Sequence, residues 1–235
     1  MTTTLITGAN KGLGFETARR LVEAGHTVYV GARDTDRGRA AAERIGARFL
    51  LIDVTDDASV QAAAKTVEAD GGLDVLVNNA GIELRGPGNS VPPAGDTTAD
   101  EMRTVYETNV FGVVRVTHAF LPLLQRSPAP VVVNVSSGLA SLAGLSDPDS
   151  PAHFYQALAY PSSKTAVNMI TVQYAKAFPG LRINAVEPGF TATDLNGRTG
   201  TQTVEEGAEI IVRMAQVGPD GPTGGYFDID GPLPW

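Results

Sequence analysis

The strongest constraint on how this chain can fold is an alternation that begins at its first residues. Thr4-Leu5-Ile6 and Thr27-Val28-Tyr29-Val30 are β-rich runs, and between them residues 15–24 carry Ala18, Leu21 and Val22 at helical spacing. This pattern predicts a βαβ unit. It continues through an alanine-rich helix at 37–45, a strand at 48–52, a helix at 58–69 after a Thr55 cap, and an apolar strand at 74–77. A capping box at Thr98-Ala99-Asp100-Glu101 opens a predicted long helix through Leu124, followed by a strand at 130–135. A helix at 162–178, a strand at 182–186, a helix at 205–215 and a strand at 226–229 complete the series. Short strands apolar on both faces, each followed by a helix, predict one doubly wound α/β domain over residues 1–235, its mostly parallel sheet covered on both sides.

Composition excludes several function classes. The 235 residues contain no cysteine, which removes disulfide scaffolds, thiolate metal sites and cysteine nucleophiles. With a net charge of −8 the surface repels polyanions, so no nucleic-acid partner is expected. No apolar run is long enough for a membrane span and the first residues lack a secretory leader, so the expectation is a soluble, cytoplasmic protein with no membrane partner. His26, His118 and His153 have no ligand-like spacing, and no metal site is expected.

Sheets of this kind bind ligands at the carboxyl ends of their strands. Four unusual clusters fall there: Thr7-Gly8-Ala9-Asn10-Lys11-Gly12-Leu13-Gly14, Asn78-Asn79-Ala80-Gly81, Ser136-Ser137-Gly138, and Pro188-Gly189-Phe190-Thr191-Ala192-Thr193. Gly8, Gly12 and Gly14 stand between a strand and a helix, where missing Cβ atoms let backbone amides approach a pyrophosphate at the helix N-terminus; plain tight packing is the competing reading of these glycines. The second strand ends in Gly31-Ala32-Arg33 with no carboxylate to meet a ribose 2′-hydroxyl, so Arg33 and Lys11 are placed for a 2′-phosphate and the expected cofactor is NADP(H). Asp34 follows Arg33 and is the residue that would neutralise it. Asp53, ending the third strand, reads either as an acceptor for the adenine amino group or as a helix cap.

Tyr160 and Lys164 lie four residues apart, on one helix face, with Pro161 in the first turn of that helix. At ~5 Å and an effective dielectric of ~20 the ammonium would stabilise a phenolate by ~3 kcal/mol, which predicts a Tyr160 pKa well below the usual ~10. Tyr155, with Ala159 at the matching position, is the poorer candidate.

Together these residues resemble the short-chain dehydrogenase/reductase family across essentially the whole chain. The resemblance rests on the stretch 7–14, Asn78-Asn79-Ala80-Gly81, Thr108-Asn109-Val110, Asn134-Val135-Ser136-Ser137, Tyr160/Lys164, and Pro188-Gly189 with Thr193. Asn10-Lys11-Gly12, Ala32-Arg33-Asp34, the stretch 205–209 and Trp235 make it most similar to the carbonyl-reductase branch. The resemblance implies a Rossmann-like fold and four catalytic residues. Tyr160 is the acid/base, Lys164 lowers its pKa and holds the nicotinamide ribose, Ser137 orients the carbonyl, and Asn109 supports a proton relay. The implied cofactor-binding set is Gly8, Asn10, Lys11, Gly12, Leu13, Gly14, Arg33, Asp53, Val54, Asn79, Ala80 and Gly81, then Asn109, Tyr160, Lys164, Pro188, Gly189, Thr191 and Thr193.

The function expected is hydride transfer between NADP(H) and a ketone, aldehyde or secondary alcohol. A noncatalytic NADP-binding sensor is the alternative from another class, and an NAD-bound epimerase or dehydratase a third. Leu142, Phe154, Phe190 and Leu195 are expected to wall the substrate site with no arginine fork for a carboxylate, which favours a small, neutral, fairly apolar substrate. Ser137 and Tyr160 are 23 positions apart, longer than the family's short form, and this leaves monomer and homo-oligomer both open.

Overall fold

The structure, a computed structural model, describes residues 2–235. Seven parallel strands form one sheet: β1 (Thr3–Thr7), β2 (Thr27–Ala32), β3 (Arg48–Leu51), β4 (Val75–Asn78), β5 (Val131–Val135), β6 (Arg182–Val186) and β7 (Tyr226–Phe227). Their spatial order is β3-β2-β1-β4-β5-β6-β7, so the winding reverses between β1 and β4, where Leu5 pairs with Leu76 and Ile6 with Val77.

The period-2 alternation of the strands sends side chains to two separate cores. Leu5, Leu76, Val132 and Ile183 face α3 (Asp57–Ala69), α5 (Gly112–Leu124) and α7 (Ala159–Ala177), packing with Val60, Val67, Phe120 and Leu124. Ile6, Val30, Val77, Val133 and Val186 face α1 (Gly12–Glu23), α2 (Thr35–Ile45) and α8 (Val204–Ala215), meeting Leu21, Ala41, Ile210 and Ile211. α4 (Ala99–Tyr106) and the short α6 (Leu142–Ser146) complete the helices of the described residues.

Three local expectations need correction. The α3 cap is Asp56, whose carboxylate accepts from the backbone N–H of Ala58 and Ser59, while Thr55 is turned back onto Asp53. The helix predicted from Thr98 to Leu124 is interrupted between α4 and α5 by a π-turn at Glu107–Phe111, in which the Gly112 N–H reaches back to the Glu107 carbonyl. Side-chain periodicity does not register one extra backbone residue in a turn, and such turns concentrate at functional sites. The last strand is two residues, because the chain folds back: Leu233 N–H bonds the Tyr226 carbonyl, and Phe227 bridges Pro232 antiparallel. The Thr98 capping box and the turn of helix around Pro161 form as the sequence predicts.

Phe120, on α5, is fully buried in the core that α3 and α5 share with the sheet. Phe120→Ala should lower unfolding free energy by about 3–5 kcal/mol, measured by urea denaturation, since the cavity left there cannot collapse onto the sheet.

Candidate active site

A cavity of about 1270 Å³ runs along the carboxyl edge of the sheet. All four glycine, asparagine, serine and proline clusters reach it, and Gly8, Lys11, Arg33, Asp53, Asn79, Ser137, Tyr160, Lys164, Pro188 and Thr193 line it.

At one end the glycine loop is built for close approach. Gly8 and Gly12 have φ of +65° and +56°, which side chains other than glycine's rarely adopt. A Cβ on Gly14 would stand 2.5 Å from Asn79 Nδ2 and 2.9 Å from the Gly8 carbonyl. α1 opens on Lys11 with no side-chain cap and no acidic residue in its first turn, so its leading N–H groups remain available to an anion. This satisfies the geometric requirement for a pyrophosphate. The Asn79 amide donates to the Thr7 carbonyl at 2.8 Å and the Gly8 carbonyl at 3.2 Å, and Thr7 Oγ accepts from the Asn79 and Ala80 N–H groups. Asn79 thus fixes the loop's shape, and its amide donors are engaged by the loop itself.

Arg33 projects from the end of β2 and forms no ion pair among the described residues. Asp34 does not neutralise it: that carboxylate caps α2, accepting from the Arg37 backbone at 2.9 Å and the Arg37 guanidinium at 2.8 Å. Lys11 is held by Asp194 at 3.0 Å across the cavity mouth, both partners well exposed, and Arg198 shares the same carboxylate. Asp53 lies beside Arg33. Burial opposes its ionisation, but bonds from the Thr55 N–H and hydroxyl, with the charges of Arg33 and Arg115, hold the carboxyl below the usual range. It orders the turn before α3 without being that helix's cap, and Val54 packs next to it against Gly112.

At the other end stand Ser137, Tyr160 and Lys164. Lys164 is buried, its Nζ donating to the Val135 carbonyl at 2.8 Å and lying 5.6 Å from the centre of the Tyr160 ring. The Ser137 hydroxyl and the Tyr160 phenol line the same part of the cavity, and the hydroxyl acts to lower the phenol's pKa. Ser136 is turned inward to Asn168 at 2.7 Å, which leaves Ser137 as the serine facing the cavity. Asn109 sits in the π-turn, fully buried. Its Oδ1 accepts from the Ile82 N–H at 2.8 Å, and its Nδ2 donates to the Ile82 carbonyl at 2.9 Å and to Ser163 at 3.0 Å. The side chain thereby pins the segment after β4 beside Lys164. Thr191 braces the Pro188 carbonyl at 3.0 Å, and Thr193 caps a short turn over the glycine loop, its methyl 3.7 Å from where a Gly12 Cβ would be.

The expected depression of the Tyr160 pKa is overturned. Burial pushes the phenol up, and the carboxylates of Glu83 and Glu187 add to the rise; the bond from Ser137 and the charge of Arg85 only partly oppose it. The ammonium is itself desolvated, and burial lowers Lys164 to about 8.

The sequence reading missed a polar cluster on the substrate side. Glu83, nearly buried, pairs with Arg85 and accepts from the Tyr155 hydroxyl, and all three line the cavity. Glu83 directly follows the β4 motif by two residues, so extending the strand-end rule past Gly81 would have found it. Tyr155 is thus a wall residue, its hydroxyl committed to Glu83. Two arginines the sequence reading did not place, Arg85 and Arg198, also line the cavity, each with its guanidinium paired to a carboxylate of this chain. Phe190 and Leu195 line the cavity as expected, whereas Leu142 and Phe154 are 61% and 74% exposed and lie outside it.

Comparison with known proteins gives a consistent picture. A family model described as short chain dehydrogenase matches residues 2–204. A Penicillium roqueforti protein, short-chain dehydrogenase anuI, is 40% identical, the alignment covering 91% of this chain and 88% of the relative. The (-)-isopiperitenone reductase of Mentha piperita is 32% identical, with 96% of each covered. Among solved structures, NADPH-bound carbonyl reductase from chicken fatty liver superposes with a TM-score of 0.85 at 26% identity, covering 100% of this chain and 99% of that one. Salutaridine reductase from Papaver somniferum gives 0.84 at 28% identity, covering 97% and 99%.

The buried ammonium has a measurable signature. A base whose folded-state pKa is depressed to about 8 from 10.5 binds fewer protons folded than unfolded between those values, so its contribution to stability rises with pH across that window. Lys164→Met removes this dependence. Relative to wild type, the variant should therefore be more stable at pH 7 than at pH 10 by up to about 3 kcal/mol, read from denaturant midpoints in cofactor-free protein. A difference independent of pH would place the ammonium in a better-solvated site.

Proposed function

Because the chain belongs to the short-chain dehydrogenase family, an oxidoreductase family, we propose that it is an NADP(H)-dependent carbonyl reductase that interconverts a ketone or aldehyde with its alcohol. The observation that carries this reading is the convergence, in one cavity, of a glycine loop and an unpaired Arg33 at one end with the Ser137–Tyr160 pair and Lys164 at the other.

The residues fit such a cofactor. The uncapped start of α1 and the glycine loop would hold the pyrophosphate; Arg33 would take the 2′-phosphate, and Lys11 could join it, since an exposed pair such as Lys11–Asp194 is worth little and yields readily to a better anion. Ala32 leaves no carboxylate to repel that phosphate. Lys164 would hold the nicotinamide ribose hydroxyls. When bound, the nicotinamide supplies or accepts the hydride.

The chain itself handles the proton and the carbonyl oxygen. Tyr160, kept protonated by burial, donates its phenolic proton to the oxygen as it gains electrons, and the Ser137 hydroxyl gives that oxygen a second hydrogen bond. Lys164 faces the phenol, and its charge offsets the phenolate left behind. Asn109 holds the backbone at Ile82 so that this geometry persists. A phenol pushed upward favours reduction at neutral pH over alcohol oxidation. The substrate is small and neutral, since both wall arginines are already paired. Relatives named for isopiperitenone, neomenthol and salutaridine support a ketone or alcohol substrate class.

Cofactor choice is tested by NADPH and NADH oxidation over a panel of carbonyl compounds. Wild type should prefer NADPH, and Ala32→Asp with Arg33→Ser should reduce that preference by about ten- to a hundredfold, the worth of a charge-assisted contact. Equal use of NADH by wild type would sink the assignment. Tyr160→Phe should cut turnover by ~10²–10⁴-fold while NADPH still binds. In wild type, reduction should hold steady through neutral pH and decline as pH rises past about 8, where Lys164 loses the charge that offsets the phenolate.

A further inference from the structure

Ser137 is held more firmly than its own turn requires. Its backbone is extended, its carbonyl accepts from Ala140 N–H at 2.8 Å, and its hydroxyl oxygen accepts from Leu139 N–H at 3.2 Å. A second donor comes from far along the chain: the Tyr226 hydroxyl meets the Ser137 carbonyl at 2.5 Å. Tyr226 is 2% exposed and stands in β7, whose strand neighbour β6 lies between it and the serine's β5.

What covers Tyr226 is the end of the chain. The Trp235 ring stacks on the Tyr226 ring at 5.6 Å between centres and 20° between planes, the Tyr226 carbonyl accepts from Leu233, and the Trp235 carbonyl accepts from Ala143 at the start of α6. Filling the same volume takes only a phenyl ring. The hydroxyl adds a single directed bond, and it falls on the backbone of the residue whose own hydroxyl acts on the Tyr160 phenol.

We propose that Tyr226, clamped beneath Trp235, is a positioning residue that fixes the Ser137 backbone so that its hydroxyl meets Tyr160 and the substrate oxygen. Tyr226 touches no reacting atom; it acts through Ser137. Burial also keeps its phenol protonated, so the donor is present at every working pH. The proposal rests on the catalytic reading of Ser137 and Tyr160 given above.

Tyr226→Phe keeps the ring, the stack and the strand, and removes only the donor. Carbonyl reduction should lose roughly ten- to a hundredfold in kcat, in line with a small displacement of a catalytic group, with the KM for NADPH within about twofold of wild type. Protein labelled with [13Cζ]tyrosine supplies a readout independent of turnover: the Tyr160 signal, assigned by its absence in Tyr160→Phe, should shift in Tyr226→Phe as the Ser137 hydroxyl moves relative to the phenol. Trp235→Ala should move both measurements the same way by a smaller amount. A Tyr226→Phe variant that merely melts earlier, with kcat and the Tyr160 signal unchanged, would reduce the hydroxyl to a packing role and overturn the proposal. If wild type reduces no carbonyl in the panel, the functional reading fails, and the NMR shift alone decides the positioning claim.

Discussion

The site depends on one junction, the contact between the ends of β1 and β4. The sheet order reverses between these strands, so the connections leaving them diverge to opposite faces and open a crevice. A crevice of this kind exposes backbone carbonyls that no strand can satisfy. Here the Asn79 amide takes the carbonyls of Thr7 and Gly8, and the Thr7 hydroxyl takes the N–H groups of Asn79 and Ala80. Two loops that would otherwise move independently become one rigid floor. Gly14 has to be glycine because the same amide occupies the space a Cβ would need.

The second organising effect is burial of charge. Lys164 gives up hydration for one carbonyl of β5 and the neighbourhood of a phenol, and its affinity for a proton drops accordingly. Tyr160 shifts the opposite way for the same reason, because removing water disfavours the charged form of both groups. The free protein thus holds an ammonium that gives up its proton readily beside a phenol that keeps its own. Each would gain from a polar partner in the cavity.

Around this pair the chain recruits its distant parts. The π-turn sets Asn109 against the Ile82 backbone; the segment after β6 lays Thr193 and Asp194 over the glycine loop; β7 and Trp235 reach back to Ser137. These contacts join elements separated by up to 183 positions, as between Lys11 and Asp194. The cavity is consequently a property of the whole domain.

How much of this was legible in the sequence follows from the range of the interactions involved. Strand and helix order, the doubly wound class, the strand-end clusters and the Tyr160/Lys164 spacing are local or periodic, and hydrophobic alternation with glycine placement wrote them into the chain directly. The π-turn, the fold-back that shortens β7, the Glu83–Arg85–Tyr155 cluster and the exposure of Leu142 and Phe154 have no local signature, since each depends on which surfaces meet. The sign of the Tyr160 shift was decided at the same level. Residue spacing reveals that an ammonium lies near a phenol; only the packed structure determines how much water both have lost, and that loss disfavours the charged form of each.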